Sequence, residues 1–174
     1  MEFIFILILS LLLVFYRKLF FKNKYLSLFS ILYFTFVASA IGGFVTTSFK
    51  EPWYSEIILP SFNPPSWVFA PIWSTLYILM SIAIWKVWIN FFDQKILNIY
   101  FVHLFFNSTW SIVFFGFHQI ELALLNLIII LIFIIILMNI YFTKDKVSFY
   151  LTMPYLFWLL FALILNISIV FLNN

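Results

Sequence analysis

Residues 53–88 are WYSEIILPSFNPPSWVFAPIWSTLYILMSIAIWKVW, a proline-rich and aromatic stretch that leads directly into a long apolar segment. The apolar part is long enough to cross a bilayer, because a helix spans the hydrocarbon layer with about 20 residues. The part with Pro60, Pro64 and Pro65 cannot be helical throughout, because proline lacks an amide donor and restricts the preceding residue. The stretch therefore predicts a turn-rich loop followed by a transmembrane helix.

The same apolar bias extends over the whole chain of 174 residues, which is 66% hydrophobic and only 9% charged, with a mean hydropathy of +1.17. Polar residues are too few to cover a globular surface in water, so the expected solvent is lipid. We therefore predict an all-α, multi-pass integral membrane protein, with the plasma or inner membrane as its default location.

Apolar runs separated by charged residues predict six helices, at about residues 3–21, 25–48, 66–90, 96–116, 120–142 and 148–171. The first run is followed by basic residues and has no small-residue cleavage site, so we interpret it as a retained helix and not as a signal peptide. The first predicted transmembrane helix and the basic cytoplasmic turn that follows it occupy residues 1–24, and the other five predicted helices occupy residues 25–174.

Charged residues predict the topology of these helices. If the basic cluster around residues 17–24 is cytoplasmic, eight of the nine Lys and Arg residues lie on that side and only Lys50 lies outside.

The net charge of +3 is too small and too scattered for nucleic-acid binding. The absence of Cys excludes disulfides and thiolate metal sites. The expected partners are membrane lipid and a small ligand.

Aromatic residues in and after the loop have two interpretations. Trp53, Tyr54 and Trp67 suit a lid that packs across the outer mouth of the bundle, but they also suit the headgroup region of any membrane protein. Trp85 and Trp88, near the cytoplasmic end of the helix predicted at 66–90, are interpreted as interfacial belt residues.

The helix predicted at 66–90 carries Trp73 and Tyr77 at a spacing of four residues, and Met80 and Ile84 continue the same face. Such a face can form the wall of a site for a flat apolar ligand. Indole N–H and phenol O–H groups can also reach ligand carboxylates, which suits a porphyrin with its propionates. The alternative is that this face packs against neighbouring helices.

In the helix predicted at 96–116, His103, Asn107, Trp110 and Phe114 share one face. An unpaired Asn or His facing hydrocarbon costs several kcal/mol, so this face must point at protein or at a cavity. Asn107 is either an interhelical hydrogen-bond partner or a ligand contact. His103 is a candidate axial ligand of haem iron, although a lone helical histidine more often packs or forms hydrogen bonds.

The last predicted helix presents Tyr155, Trp158, Ala162 and Asn166 near one face, with Pro154 in its first turn. The small Ala162 admits either a neighbouring backbone or the edge of a ligand. Small residues also recur four apart in the helix predicted at 25–48, as Ala38 with Gly42 and Ser39 with Gly43. These pairs permit close helix approach, within the chain or in a homodimer.

Catalytic and metal-binding patterns are not found in the sequence. Acidic residues are scattered at the predicted helix ends, no glycine loop suits phosphate, and the two histidines lack carboxylate or cysteine neighbours. Ion pumps place charged residues at membrane depth, and Asn126 and Asn139 are the strongest polar groups in the helix predicted at 120–142. We therefore expect neither an enzyme nor an ion-coupled transporter.

Five segments resemble the TspO family of tryptophan-rich sensory and translocator proteins, in the family's order. They are IGGFVTTSF (41–49), PWYSEIILPSFNPPSWVFAPIWSTLY (52–77), NSTWSIVFFG (107–116), ALLNLIII (123–130) and MPYLFWLLFALILN (153–166). The resemblance covers about residues 25–172 and leaves the helix predicted at 3–21 without a counterpart. It implies a five-helix bundle whose proline-rich loop closes a pocket between the helices.

The resemblance also implies a membrane receptor or sensor for tetrapyrroles, with protoporphyrin IX or haem as ligand and no required cofactor. It implies a site formed by Trp53, Tyr54, Trp73, Tyr77, Asn107, Trp110, Trp158, Ala162 and Asn166. Alternatives within the family are light-dependent porphyrin breakdown and transport of porphyrin or sterol-like ligands. Members usually have Gln where His103 stands here. Ile167 replaces the Tyr of the family's cholesterol-recognition pattern, so sterol binding there is not predicted.

Overall fold

The computed structural model describes residues 23–173, so the helix predicted at residues 3–21 lies outside the described part. All regular structure in this part is helical, and five helices are long and apolar enough to cross a membrane. The helices are α1 (Lys24–Phe49), α2 (Trp53–Glu56), α3 (Ser66–Phe91), α4 (Gln94–Ser111), α5 (Ile120–Lys144) and α6 (Lys146–Asn173), with a π-helical turn at Ile112–Gly116. The prediction of an all-α membrane bundle is confirmed.

The five long helices form a closed ring. Helix α1 packs against α3 and α4, α3 packs against α6, and α5 lies between α4 and α6. Helices suit the hydrocarbon layer because each satisfies its own backbone hydrogen bonds. The ring brings residues that are far apart in sequence to one central space, which is what a ligand site between helices requires.

Short polar junctions set where the helices begin. The side chain of Asn23 accepts hydrogen bonds from the amides of Tyr25 and Leu26 at 2.9 and 3.1 Å, which caps the first turn of α1. Asp93 caps α4 in the same way. Only Asp145 separates α5 from α6, so α6 begins at Lys146 and Pro154 lies inside it, not in its first turn as predicted.

One half of the bundle is filled with side chains. We call it the packed half, and its fully buried residues include Ile31, Ile84, Tyr100 and Leu137. Trp88 also belongs to this core and is only 7% exposed, so its interpretation as a belt residue is wrong. The helices pack closely enough in this half to bury the Trp88 indole among protein side chains.

The packed half ends at a basic surface that we call the basic end, where Lys24, Lys86, Lys95, Lys144 and Lys146 stand at helix ends. Lys86 pairs with Asp145 at 3.8 Å and Lys144 pairs with Asp93 at 3.9 Å. Lys50 follows α1 at the opposite end. The distribution of described lysines is the one that the topology prediction requires.

Residues 50–65 cross the opposite end, which we call the loop end, and these residues are called the lid. The lid contains the short helix α2, and it is tied to the end of α6. The side chain of Asn173 accepts a hydrogen bond from the Ile58 amide at 2.8 Å and donates one to the Ile58 carbonyl at 2.9 Å. Trp67, at the start of α3, is 75% exposed, as an interfacial residue would be.

Candidate functional site

The interior of the ring is open in the half that lies under the lid, where all five long helices enclose a cavity of about 560 Å³. This volume lies within the range of roughly 300–1,000 Å³ that small-molecule sites occupy. Apolar and aromatic side chains form most of the wall, with a few polar groups among them. A wall of this kind suits a flat, largely apolar ligand.

Eight of the nine residues predicted to form the site line this cavity. They come from the lid and from α3, α4 and α6, and they are Tyr54, Trp73, Tyr77, Asn107, Trp110, Trp158, Ala162 and Asn166. The faces that periodicity assigned on three separate helices therefore converge on one space. Met80 and Ile84, which continue the face of Trp73 and Tyr77, are buried in the packed half, so the alternative of helix packing holds for that part of the face.

Trp53 is the exception, because it is not part of the cavity wall. Its indole stacks on the His118 ring, with centroids 4.4 Å apart and planes within 13°, and meets Phe114 edge-on at 5.4 Å. Trp53 thus holds α2 against the junction before α5. Its position supports the lid without offering a surface to the cavity.

Indoles of the cavity wall are held by neighbouring rings. Trp73 stacks on Tyr77 with centroids 5.3 Å apart, and Trp110 stacks on Phe114 at 4.9 Å. Trp158 meets Phe69 edge-on at 5.8 Å. Such pairs fix ring orientation, so the aromatic faces are set before any ligand arrives.

A buried chain of hydrogen bonds runs from the cavity into the packed half. The Tyr77 hydroxyl donates to Asn107 Oδ1 at 2.7 Å, and Asn107 Nδ2 donates to the Tyr155 hydroxyl at 2.9 Å. Tyr155 is in turn 2.9 Å from His103 Nε2. Asn107 therefore forms the interhelical hydrogen bonds of the first interpretation, and it also lines the cavity, where the second interpretation would place it.

His103 is completely buried and lies outside the cavity wall. Its Nε2 atom is occupied by the bond to Tyr155. Of the two alternatives for this residue, the structure has the hydrogen-bonded packing residue. The ring is not placed to coordinate a haem iron in the cavity.

Buried polar atoms without partners occur both at the cavity and away from it. The indole nitrogen of Trp110 and both polar side-chain atoms of Asn166 have no hydrogen-bond partner, and the same holds for Ser81 Oγ, His103 Nδ1 and Asn126 Oδ1, which lie outside the cavity wall. Burying such groups unpaired costs free energy, and most buried polar atoms in proteins are paired. Because these atoms have almost no exposed surface, they do not by themselves mark a ligand contact.

The two glycines of α1, Gly42 and Gly43, differ in the space around them. A Cβ atom on Gly42 would lie 3.2 Å from Ser111 Oγ, so Gly42 permits the close approach of α1 and the end of α4 within the chain. A Cβ atom on Gly43 would meet nothing within 4 Å, and Gly43 lines the cavity. Among residues 23–173, Gly42 serves helix packing, and Gly43 leaves space in the cavity wall.

The π-helical turn at Ile112–Gly116 was not predicted, because the sequence pattern favours a continuous helix over 96–116. It continues α4 directly and contributes Phe114 and Phe115 to the cavity wall. Turns of this type are frequent at functional sites. The unusual backbone thus lies where the wall is formed.

Lys50, Glu51 and Ser66 line the mouth of the cavity beside Tyr54. Burial raises the pKa of Tyr54 above its ordinary value, so its hydroxyl stays protonated and donates to Asn63 Oδ1 at 3.3 Å. The position of Lys50 in the sequence was interpreted only as a topology signal. Its isolation from the other lysines is the one feature of the sequence that sets it apart.

Among residues 23–173, no buried side chain is an Asp, Glu, Lys or Arg. In the same range, His, Asp and Glu residues do not come together in groups of three that could hold a metal ion. The polar groups that face the cavity are therefore neutral, apart from those at its mouth. Such a wall suits recognition by stacking and hydrogen bonding.

The sequence profile of the TspO/MBR family matches residues 29–172, which covers nearly all of the described helices. The chain belongs to the TspO/MBR family. It is 38% identical over 134 residues to the "Tryptophan-rich protein TspO" of Archaeoglobus fulgidus, covering 76% of this chain and 87% of that protein.

Two further TspO relatives widen the comparison. The "Tryptophan-rich sensory protein" of Cereibacter sphaeroides is 34% identical over 144 residues, covering 82% of this chain and 91% of that protein. The "Translocator protein" of Homo sapiens is 32% identical over 139 residues, covering 75% of this chain and 82% of that protein. Family membership and the five apolar helices together establish a multi-pass integral membrane protein.

Proposed function

We propose that this TspO-family protein is a membrane receptor or sensor that binds a tetrapyrrole, protoporphyrin IX or haem, in the cavity under the lid. The observation that carries the proposal is the convergence of Trp73, Trp110 and Trp158, from three different helices, on one cavity of about 560 Å³. The name of the Cereibacter sphaeroides relative, a sensory protein, supports the same role.

Stacking on indole faces suits a planar macrocycle, because each face offers a large apolar surface in a fixed orientation. The cavity can enclose most of such a ligand, which is how small-molecule sites gain affinity. Asn107 and Asn166 add polar side chains to this mainly aromatic and apolar wall. Binding therefore needs little rearrangement of the helices that form the wall.

The test is a fluorescence-quenching titration with protoporphyrin IX on the purified full chain in detergent or vesicles. We expect saturable binding by the wild type and affinity losses of about three- to tenfold in Trp73→Ala and Trp158→Ala, because an aromatic stacking contact is worth roughly 0.5–1.5 kcal/mol. Trp67→Ala is the matched control, since Trp67 is exposed and lies outside the wall. Equal affinity in all four proteins contradicts the proposed site.

A second candidate is light-dependent oxidative breakdown of the bound porphyrin, with dissolved oxygen as the oxidant. One observation favours it, namely that Trp73 lines the cavity and stacks on Tyr77, which begins the buried chain of hydrogen bonds. Side chains that can be oxidised therefore line the cavity, and the hydrogen bonds of Tyr77 connect them to the protein interior.

Illumination of the protein–porphyrin complex separates the two candidates. Loss of the porphyrin absorption with a new product, abolished by Trp73→Phe while binding remains, identifies an enzyme. If the pigment is lost no faster than in illuminated protein-free vesicles, the protein is a receptor. Phenylalanine keeps an aromatic face, so the variant distinguishes chemistry from binding.

A further inference from the structure

Lys50 holds the positive charge at the mouth of the cavity. Its ammonium group donates a hydrogen bond to Ser66 Oγ at 3.1 Å and lies over the Tyr54 ring, 4.9 Å from the centroid. These contacts come from the lid and from α3, so they hold the side chain across the cavity mouth. The ammonium has three N–H donors, and Ser66 takes only one of them.

The charges around Lys50 make its effect local. It is the one lysine of the described part that lies at the loop end, and the carboxylates of Glu51, Glu56 and Glu121 lie at the same end. The three carboxylates outnumber the single lysine, so the net charge of these side chains is negative and does not attract anions. Among residues 23–173, Lys50 is the one Lys or Arg side chain at this end that can attract an anionic group by charge.

Glu51 is a weak internal competitor for this lysine. Its Oε1 atom is 3.6 Å from Lys50 Nζ, and the two side chains are 59% and 24% exposed. Such partly exposed ion pairs contribute little to stability, about 0–1 kcal/mol. A ligand carboxylate can therefore replace Glu51 beside the ammonium at small cost.

We propose that Lys50 is a specificity-determining residue that selects flat apolar ligands carrying a carboxylate, by binding that carboxylate at the cavity mouth. The inference rests on the proposed function, because it assigns the orientation and the acidic group of the ligand in the same cavity. The macrocycle lies among the indoles, and an acidic side arm points toward Lys50 and Ser66. A neutral ligand of the same shape gains only the stacking contacts.

The test compares protoporphyrin IX, a diacid, with its uncharged dimethyl ester in vesicles of phosphatidylcholine alone. The quantity compared between variants is the ratio of the two affinities, because the different partitioning of the two pigments into lipid enters this ratio equally in every variant. In the wild type we expect the diacid to be favoured over the ester. In Lys50→Gln this preference falls about fivefold, which corresponds to the loss of a partly exposed charge contact.

Three variants sharpen the test. Lys50→Arg keeps the charge and retains at least half of the preference. Glu51→Gln removes the competitor and raises the preference about twofold. Lys24→Gln removes a lysine at the basic end, whose ammonium lies 5.9 Å from the Trp85 ring centroid, and leaves the ratio unchanged.

A ratio that is the same in the wild type and Lys50→Gln overturns the role of Lys50 while leaving porphyrin binding intact. If Lys50→Gln instead lowers the amount of phosphatidylglycerol that stays bound to protein purified from mixed-lipid vesicles, with an unchanged ratio, the lysine binds lipid phosphate and the inference is likewise overturned. Absence of saturable quenching by both pigments in every variant overturns the proposed function, and this inference with it.

Discussion

The two halves of the bundle differ in how far side chains fill the space between the helices. In the packed half, buried side chains meet across the helices: the Tyr100 hydroxyl is bonded to Thr35 at 2.7 Å, and the Ser148 hydroxyl donates to the Ala83 carbonyl at 2.8 Å. In the half under the lid, the same helices enclose a cavity of about 560 Å³. The packed half holds the helices together, while the half under the lid leaves space between them.

The largest expected difference between the halves is the cost of the same truncation. Leu137 is fully buried in the packed half, whereas Leu165 lines the cavity. Leu137→Ala leaves a new void and should lower the free energy of unfolding by about 3 kcal/mol, but Leu165→Ala only enlarges an existing space and should cost about half as much. Denaturation midpoints in mixed detergent measure both. Equal costs would remove the distinction between a filled half and an open half.

The chain of hydrogen bonds that joins the halves gives the next largest effect. Tyr155→Phe removes the hydroxyl that accepts from Asn107 and contacts His103, and leaves both buried side chains without that partner. We expect a loss of about 1–2 kcal/mol in stability. Tyr150→Phe is the control, because Tyr150 is exposed on the same helix. If the two variants are equally stable, the chain does not couple the halves.

The smallest effect concerns the lid. Asn173→Ala removes both bonds to Ile58, so opening of the lid should become easier by about 0.5–1 kcal/mol. Hydrogen exchange of the Ile58 amide should accelerate about three- to fivefold, while amides of the packed half stay protected. Asn98→Ala, which removes a surface contact with Gln94 at the basic end, is the comparison variant. A protected Ile58 amide in Asn173→Ala would show that the lid is held by other contacts.

Periodicity predicted the spans and the faces of the helices, because apolar length and residue spacing are local properties. The predicted segment 66–90 became Ser66–Phe91, and Trp73 and Tyr77 face the interior as expected. Local patterns do not determine which partner meets a given face. His103 and Asn107 share a face, but only Asn107 reaches the cavity, since the packed half closes around His103.

Contacts between distant parts of the chain could not be predicted. The bond between Ile58 and Asn173 joins residues 115 positions apart, and Trp53 turns to His118 across the bundle end. Lys50 reached the cavity mouth because the lid folds back over α1 and brings Ser66 beside it. Each of these depends on how the ring closes, which no single segment encodes.

The most direct test of the account is a titration with protoporphyrin IX after filling the cavity. Gly43→Leu places a side chain where a Cβ atom meets nothing within 4 Å on the cavity wall. Ala40→Leu adds a comparable volume to the same helix outside the cavity. We predict saturable binding by the wild type and Ala40→Leu, and at least tenfold weaker binding by Gly43→Leu with an unchanged fold by circular dichroism. Undiminished affinity in a folded Gly43→Leu protein would contradict a ligand site between the helices.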